Sequence, residues 1–505
     1  MISMQNVNIA PSATKSSLHL SVGAVVLSFG LVSNAFGQQG TAPAPTEIET
    51  RLGKLTYEAG FPTKETTDKL YDEIEYQRAV LAYQLVDNLV SYYSMDVGFQ
   101  EAGADEGDLI VWERFADPKL IALTPNHTTI YGMSFLNLER DGPMIVEVPP
   151  SPFLGGLFDL WMVPLVGIDA QGGKFLVASH DYKGPVPKGA TLIRSRTGIA
   201  AFFARGLVIK GDIKTAAQTV KNCRIYPLSK QKNPPPTKIV PATGVAIDTI
   251  SPTNPDDFWP RAAKALSYVS ADKSVDPDAS LVLSLLKPLG ITHDKPFNPD
   301  ARQRRILNDA GKMAWHHSQA ISFAPRLEDV IYYPGTQWEW VLMLDPTLRD
   351  GFWRDLDARI NYYFQGTMAL PAMKNKAIGK GSQYLRSSRD AEGKWLDGKH
   401  TYRLRVPRNP PIKLNWSVTV YDYETRSQIQ TDTNVAALGS DDKLQKNADG
   451  SVDLYFGPEA PEGKETNWIK TVPSRGWWVW FRFYSPTEAF FEKSWKLPDF
   501  ERIRR

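Results

Sequence analysis

The stretch Trp477-Trp478-Val479-Trp480-Phe481-Arg482-Phe483-Tyr484 is the strongest fold signal in this sequence of 505 residues. Successive side chains of a β-strand point to opposite faces, so the odd-numbered residues share one face and the even-numbered residues share the other. The odd-numbered face is wholly apolar, which predicts a sheet packed on a hydrophobic core. The even-numbered face carries Trp478, Trp480, Arg482 and Tyr484. Aromatic rings around a guanidinium group indicate either a second packed layer or a surface that binds a ligand.

Other segments near the C-terminus alternate in the same way and are separated by Gly, Pro, Asn and Asp. Together with the quoted stretch they cover 401–406, 416–421, 452–456 and 477–484. Short alternating runs bounded by turn residues predict antiparallel strands. We therefore expect a C-terminal jelly-roll β-domain over residues 376–505.

The N-terminal half predicts a second β-domain preceded by a helix. Apolar residues recur at spacings of four and seven between residues 67 and 93, which predicts an amphipathic helix docked on a core. The residues of this stripe are Leu70, Ile74, Leu81, Leu85 and Leu89. Strand-like runs follow at 109–112, 129–138, 144–148, 157–163, 174–179 and 191–197. Such closely spaced short strands favour a β-sandwich, which we place with its leading helix at 65–245, after a linker at 38–64.

Between the two β-domains the pattern becomes helical. The helical candidates in this middle region, residues 246–375, are 261–269, 278–286, 299–323 and 350–369. The sequence as a whole therefore predicts the α+β class, with a β-sandwich, a helical middle region and a C-terminal jelly roll.

Residues 1–37 have the composition of an export signal. Lys15 precedes an apolar run over 20–32, and Ala35-Phe36-Gly37 supplies small residues at the cleavage spacing. We expect a mature protein that begins at Gln38, is periplasmic or secreted, and has no membrane span; an uncleaved membrane anchor is the alternative. Cys223 is the only cysteine, so no internal disulfide can form.

Charge and motifs exclude several classes of partner and cofactor. The net charge is +2 with both signs spread along the chain, so there is no basic field of the kind that nucleic acid binding requires. The sequence has no Gly-rich phosphate loop, no dinucleotide fingerprint and no Gly-x-Ser-x-Gly elbow. We expect no cofactor and no nucleic acid partner, and the partner we expect is a small-molecule or saccharide ligand.

Two blocks resemble a pair of bacterial domains that occur together. The first covers 123–131 and 141–149 and contains the turn Pro125-Asn126-His127-Thr128-Thr129-Ile130-Tyr131, in which Thr128 stands where an acidic residue is frequent in the family. The second covers 390–398, 410–411, 416–422, 449–451 and 456–468. The first block resembles domain of unknown function 1254, and the second resembles domain of unknown function 1214.

This resemblance carries expectations about fold but none about catalytic residues. It implies an immunoglobulin-like sandwich, a helical insert and a jelly roll. It implies no established active-site residue, and Thr128 removes a carboxylate on which a metal-dependent or base-dependent mechanism in relatives would rely.

The turn around Asn126 is the first candidate site. Asn and Thr side chains shape tight turns by bonding to nearby backbone amides, so one interpretation is a turn that orients the next strand. The functional interpretation makes His127 a general base, because imidazole titrates near neutral pH. Asn126 and Thr129 would then contact the ligand, and Tyr131 would orient it.

Acids and metal ligands give weaker signals. Asp159 is a candidate acid partner for His127, although sequence cannot show that the two meet. His316 and His317 are adjacent, and neighbours on a helix point about 100° apart, so they do not share a face. The loop with Asp390 is rich in carboxylates but lacks the full calcium-binding pattern. We therefore predict no metal site.

Two functions from different classes remain open. The first is an enzyme that carries out cofactor-free hydrolysis or elimination on a small organic or saccharide ligand in an interdomain cleft, with His127, Tyr131 and Asp159 as its catalytic residues. The second is a non-catalytic ligand-binding or assembly module of the cell envelope, in which the aromatic face forms a ligand surface or the interface of a homo-oligomer. A pocket that contains a perturbed histidine or carboxylate would favour the enzyme.

Overall fold

The computed structural model describes residues 46–126, 128–270, 272–348 and 355–503. The predicted export signal at 1–37 and the candidate residue His127 lie outside this part of the chain. The chain divides into two compact units, Met1–Asp68 and Lys69–Arg505. In the described part of the first unit, an antiparallel sheet has the strand order β1 (Glu47–Thr50), β2 (Gly53–Glu58) and β3 (Phe61–Pro62).

Helix α1 (Lys64–Glu101) contains the predicted helix at 67–93 and confirms it. The predicted contact stripe is partly wrong, because Leu85 and Leu89 are buried whereas Ile74 and Leu81 are 39% and 37% exposed. The reason is that residues 85–96 are buried on every side of the helix. A helix that is buried on all sides has no single apolar face, so the spacing of its apolar residues does not show which of them contact the core.

The second unit continues with short strands and one helix. They are β4 (Leu109–Val111), β5 (Leu120–Ile121), β6 (Thr129–Asn137), β7 (Met144–Val148), β8 (Phe153–Asp159), β9 (Pro164–Ile168), β10 (Gly173–Ser179), β11 (Thr191–Ser195), β12 (Ile199–Leu207), α2 (Ile213–Lys221), β13 (Arg224–Pro227), β14 (Ile239–Pro241) and β15 (Ile247–Asp248). Six of the strands form a sheet in the order β14-β4-β6-β12-β8-β9, and four form a sheet in the order β11-β10-β7-β13. Strands β5 and β15 form a separate parallel pair.

The six-stranded sheet is buried on both faces. One face shares a core with the four-stranded sheet, through residues such as Leu136 and Val177. On the other face, Tyr131, Met133 and Phe203 belong to the core that includes α1. This double burial explains why β12 was not predicted: a strand that is apolar on both faces shows no alternation. The predicted strand at 157–163 is also wrong in part, since it spans the end of β8 and the following turn.

The middle region is helical, as predicted. Its helices are α3 (Pro255–Leu266), α4 (Pro277–Leu286), α5 (Ala301–Phe323), α6 (Leu356–Tyr363) and α7 (Pro371–Lys374). An Asn or Asp side chain caps the first turn of α3, α4, α5 and α6, and Asp300 forms a capping box with Gln303 at the start of α5. These caps satisfy amides that a helix leaves unpaired at its N-terminus.

The C-terminal region contains a second pair of sheets. Its elements are β16 (Ser382–Ser387), β17 (Thr401–Val406), β18 (Trp416–Asp422), β19 (Ala437–Gly439), β20 (Val452–Gly457), β21 (Trp468–Lys470), β22 (Trp477–Tyr484), α8 (Glu488–Phe491) and β23 (Glu501–Ile503). The strand orders are β16-β22-β18-β19 and β21-β20-β17-β23. All four predicted C-terminal strands are present, and the chain is therefore an α+β protein with two β-rich regions.

Strand β22 has the two faces that alternation predicts. Val479, Phe481 and Phe483 lie in the core between the two C-terminal sheets, together with Trp477. Trp478 and Trp480 lie instead in the core that includes α1. The even-numbered face is therefore buried against the rest of the second unit. Within the described residues, every helix is too short or too polar to cross a membrane.

Candidate functional site

A cavity of about 90 Å³ lies where the six-stranded sheet, α1, the middle region and the β22 sheet meet. Its walls are mainly apolar, and Met95, Phe99, Trp112, Met133, Phe158 and Met368 are among the lining residues. The polar side chains that line it include Asn126, Tyr131, Arg205, Tyr384 and Arg482. The described lining contains no aspartate, glutamate, lysine or histidine. Among the described lining residues, only the two arginines carry a formal charge.

The first arginine reaches the cavity from the six-stranded sheet. Strands β12 and β6 are antiparallel neighbours in which Arg205 stands directly opposite Tyr131. Directly opposed residues project from the same face of a sheet. Gly206 follows Arg205 and allows α2 to pack close, because a Cβ atom at this position would lie 2.1 Å from the carbonyl oxygen of Ala216. The backbone beside Arg205 is thereby held against α2.

The second arginine reaches the cavity from the C-terminal region. Strands β16 and β22 are antiparallel, and Arg482 stands directly opposite Tyr384. The cavity is therefore lined by two Arg–Tyr cross-strand pairs, one from each β-rich region. The charges of both arginines act on the hydroxyls of Tyr131 and Tyr384, so the two pairs lie close together.

Arg482 is almost fully buried, with 2% of its surface exposed, and its described partners are all neutral. Nη1 donates to Thr419 Oγ1 at 2.7 Å, and Nη2 donates to the Tyr421 hydroxyl at 2.6 Å. Nη2 also lies 3.2 Å and 3.4 Å from the carbonyl oxygens of Thr124 and Pro125. The guanidinium carbon is 5.7 Å from the centre of the Trp480 ring, within the range of a cation–π contact. Asp422 and Glu424, at the end of β18 and just after it, form ion pairs with Arg475.

Arg205 is half-buried, and its guanidinium has fewer hydrogen bonds than that of Arg482. Its Nε is buried and has no hydrogen-bond partner among the described residues. Its guanidinium carbon lies 5.6 Å from the ring centre of Phe203, which is two residues away on the same strand. A buried N–H group of a cation without an acceptor is costly, so the site has unused capacity for an anion.

The tyrosines around the arginines stay protonated at neutral pH. Burial raises the pKa of Tyr131 to about 12, although Arg205 acts in the opposite direction. Burial likewise raises the pKa of Tyr384 and of Tyr421, and the nearby arginines again oppose it. Tyr131 and Tyr384 can therefore donate hydrogen bonds to a ligand, whereas the Tyr421 hydroxyl already donates to the carbonyl oxygen of Pro125 at 2.9 Å. None of the three phenols is available as a base near neutral pH.

The Asn126 turn has the geometry of an orienting turn. Asn126 Oδ1 accepts from the backbone amides of Thr128 and Thr129 at 3.0 Å and 3.2 Å and from the hydroxyl of each at 3.2 Å and 3.1 Å. Its own backbone amide donates to the Tyr131 hydroxyl at 3.0 Å. Asn126 and Tyr131 line the cavity, whereas Thr129 is used inside the turn.

The remaining candidates divide between the cavity and the surrounding structure. Trp480 lines the cavity, while Tyr484 accepts a hydrogen bond from Thr128 Oγ1 at 2.8 Å, next to the Asn126 turn. Trp478 lines a different depression and stacks on Tyr421, with ring centres 4.5 Å apart. The predicted ligand-binding face is therefore divided: Trp480 and Arg482 line the cavity, and Trp478 packs behind it.

Asp159 lies in the interior and is fully engaged by the protein. It is 0% exposed, and Oδ1 accepts from the backbone amides of Trp161 and Val163, each at 3.0 Å. Oδ2 accepts from Arg196 Nε at 2.8 Å. Asp159 is absent from the cavity lining. Its bonds hold the turn that follows β8.

No group of three or more potential metal-ligating side chains occurs within the described residues. His316 and His317 are exposed on α5, and His316 Nδ1 lies 2.9 Å from Gln319 Oε1. Asp390 is buried and accepts from the backbone amides of Glu392 and Lys394 in its own turn. Cys223 is unpaired and buried, and burial raises the pKa of its thiol to about 12, so it has the character of a core residue.

Sequence reasoning missed Arg205 and Tyr384. Arg205 is the one charged residue in the apolar run 199–207. This charge points to a site only after the run has been identified as a central strand. Tyr384 had no comparable signal, because its role depends on the pairing of β16 with β22.

The fold thus defines an α+β protein whose two β-rich regions contribute to one cavity. Models of two protein families of unknown function match the chain, DUF1254 at residues 107–227 and DUF1214 at 381–488. The chain therefore carries both domains in this order, which confirms the resemblance drawn from its sequence. No curated protein matches the chain.

Two solved structures align with this chain. The crystal structure of the VPA0106 protein from Vibrio parahaemolyticus aligns with a TM-score of 0.51 and 20% sequence identity, covering 85% of this chain and 100% of that one. An uncharacterised protein from Burkholderia cenocepacia aligns with a TM-score of 0.40 and 11% identity, covering 87% of this chain and 97% of that one. The first similarity supports a shared overall fold.

Proposed function

We propose that this protein binds a small organic molecule in the cavity between its two β-rich regions. The observation that carries the proposal is a largely apolar cavity into which a few polar groups converge from different strands, which is the usual form of a small-molecule site. Its volume of about 90 Å³ is below that of an apolar protein cavity of about 150 Å³ that admits benzene, so a ring-sized ligand requires the lining side chains to move. A saccharide would need many more polar partners than these walls offer.

The same proposal includes the finer fold and the location of the protein. The sandwich is immunoglobulin-like and the C-terminal domain is a jelly roll; the paired four-stranded sheets around the core that contains Val479 and Phe481 support the latter. The order of charged, apolar and small residues over 1–37 supports export to the periplasm or beyond.

A second function, cofactor-free hydrolysis or elimination, has one favouring observation. The protonated Tyr131 hydroxyl lies opposite Arg205 at the cavity wall and could donate a proton to a leaving group. Catalysis would also need a base, and His127 is the candidate because it adjoins the lining residue Asn126 in sequence. Replacing His127 with Gln should then abolish turnover and leave the melting temperature unchanged. Loss of stability without loss of turnover would contradict this function.

The binding proposal can be tested by filling the cavity. Ala122 is a buried lining residue, and Ala122→Phe adds a ring there. Ala391→Phe makes the same change at an exposed position and serves as the control. Saturation-transfer NMR would be run with a panel of small aromatic and aliphatic anions, amides and amines. We expect at least one class to bind the wild type and the control but not Ala122→Phe. Equal binding by the filled variant, or no binding by any protein, would contradict the proposal.

A further inference from the structure

We infer that the ligand is a small organic monocarboxylate whose anionic group is bound by the two Arg–Tyr cross-strand pairs. The inference rests on the proposed binding function and adds the chemical class of the ligand. Arg205 with Tyr131 would approach the carboxylate from one β-rich region, and Arg482 with Tyr384 would approach it from the other.

The first argument is charge balance. Two guanidinium groups line the cavity, and no carboxylate of the described lining compensates them. Burying a cation without a counter-ion is strongly unfavourable even after the protein relaxes. Neutral acceptors around Arg482 reduce this cost, and an anion in the cavity would remove more of it. A cationic ligand would meet repulsion from both arginines.

The second argument is the supply of hydrogen-bond donors. A guanidinium carries five N–H groups in a planar fork that matches a carboxylate. The described hydrogen bonds of Arg482 use Nη1 and Nη2 only, and the buried Nε of Arg205 has no acceptor. Tyr131 and Tyr384 add protonated hydroxyls. The site therefore has more hydrogen-bond donors than acceptors. This favours a ligand group that only accepts hydrogen bonds, as an ionised carboxylate does.

The third argument is the shape of the remaining space. Beyond the arginines the lining is mainly apolar, with side chains such as Met95, Phe99, Trp112 and Met368, and its other polar side chains are uncharged. These offer dispersion contacts to a hydrocarbon or aromatic body and almost no partners for a second charge. A dicarboxylate or a phosphorylated sugar would place polar groups against these walls. A ligand with one carboxylate on an apolar body would place its charge at the arginines and its body against the apolar walls.

The test uses matched probes that differ in charge. Benzoate would be compared with benzamide and benzylamine, and hexanoate with hexanamide, by isothermal titration calorimetry of the full-length protein. We expect each acid to bind at least about tenfold more tightly than its amide, since hydrogen bonds to charged groups are the stronger ones. Benzylamine should not bind.

The variants test the arginines separately. Arg205→Gln should fold normally, because Arg205 is half-buried and has no described hydrogen bond, and it should weaken binding of the acids about tenfold or more while sparing any amide binding. Arg205→Lys keeps the charge but loses the fork, so we expect an intermediate loss. Arg194→Gln removes an exposed arginine from β11, outside the cavity lining, and is the matched control.

The outcomes separate this inference from the binding proposal. If the amides or benzylamine bind as tightly as the acids, or if acid binding survives both Arg205 variants, the carboxylate inference is wrong while the cavity remains a binding site. The inference is also wrong if neither acid binds the wild type. If Ala122→Phe leaves all binding intact, the cavity itself is not the site.

Discussion

At the scale of single residues, burial and existing partners decide which polar side chains remain available for a ligand. Asp159 had the chemistry of a catalytic acid, but three donors already occupy its carboxylate and it is fully buried. Arg482 is nearly as buried, but its described partners are neutral and it lines the cavity. The contrast favours a structural role for Asp159 and leaves Arg482 as a candidate for the proposed binding site.

Asp159→Asn should therefore destabilise the protein. The change leaves the half-buried Arg196 without the carboxylate of its ion pair and weakens the bonds that hold the turn after β8. We expect a loss of about 3 kcal/mol in the free energy of unfolding. Urea denaturation would measure it. A variant as stable as the wild type but defective in turnover would contradict the structural role.

Asp96 should make stability depend on pH. It is 2% exposed, and burial, followed by the charge of Glu106, raises its pKa to about 7 from an ordinary value near 3.8. The folded state then binds this proton more tightly than the unfolded state, so the stabilisation is complete below about pH 4 and is lost as the pH rises through about 7. Asp96→Asn should be more stable than the wild type at pH 8, by on the order of 2 kcal/mol, and similar at pH 4.

Asp294→Asn provides the control for this prediction, because Asp294 is exposed. The difference in unfolding free energy between this variant and the wild type should be the same at both pH values. If Asp96→Asn also shows no change between pH 4 and pH 8, the raised pKa of Asp96 is contradicted.

At the scale of elements, the alternation of β22 was predictable because its two faces differ in chemistry. Its bounds and its apolar face are as predicted, and the aromatic face proved to be both a packed layer, at Trp478, and a cavity wall, at Trp480 and Arg482. Strand β12 could not be predicted in the same way, because both its faces are buried. The two Arg–Tyr cross-strand pairs could not be predicted either, because they depend on which strands become neighbours in a sheet and in which register.

Gly206 tests how α2 fixes β12 beside the cavity. Gly206→Ala would place a methyl group against the carbonyl oxygen of Ala216, and we expect a loss of about 1–3 kcal/mol in unfolding free energy from overpacking. Gly167→Ala in β9 meets no atom within 4 Å and should be nearly neutral. Thermal and urea unfolding would compare the two. Equal effects would contradict the close approach of α2 to β12.

At the scale of the whole molecule, the two β-rich regions depend on one core within the unit Lys69–Arg505. Tyr131 and Phe203 from the six-stranded sheet share that core with Trp478 and Trp480 from β22. The predicted domain boundaries at 245 and 375 remain predictions. The cavity could not have been predicted from either region alone, because each supplies only part of its wall.

A fragment of residues 376–505 should therefore not form a native structure by itself. It would expose Trp478, Trp480 and the charge of Arg482 to water. It would also lack Tyr332, Tyr333 and Trp338, which belong to the core around Phe481. We expect weak near-ultraviolet circular dichroism and strong binding of a hydrophobic dye. A fragment with a sharp thermal transition and native near-ultraviolet signals would contradict the shared core.

The most direct measurement of the central claim is a crystal structure of the wild-type protein soaked with 4-bromobenzoate, with the bromine located by anomalous scattering. We predict a carboxylate within about 3 Å of a guanidinium nitrogen of Arg205 or Arg482, with the ring and bromine directed toward Met95, Phe99 and Trp112. A cavity without bromine in a crystal that binds 4-bromobenzoate elsewhere, or a ligand whose carboxylate points away from both arginines, would contradict the account.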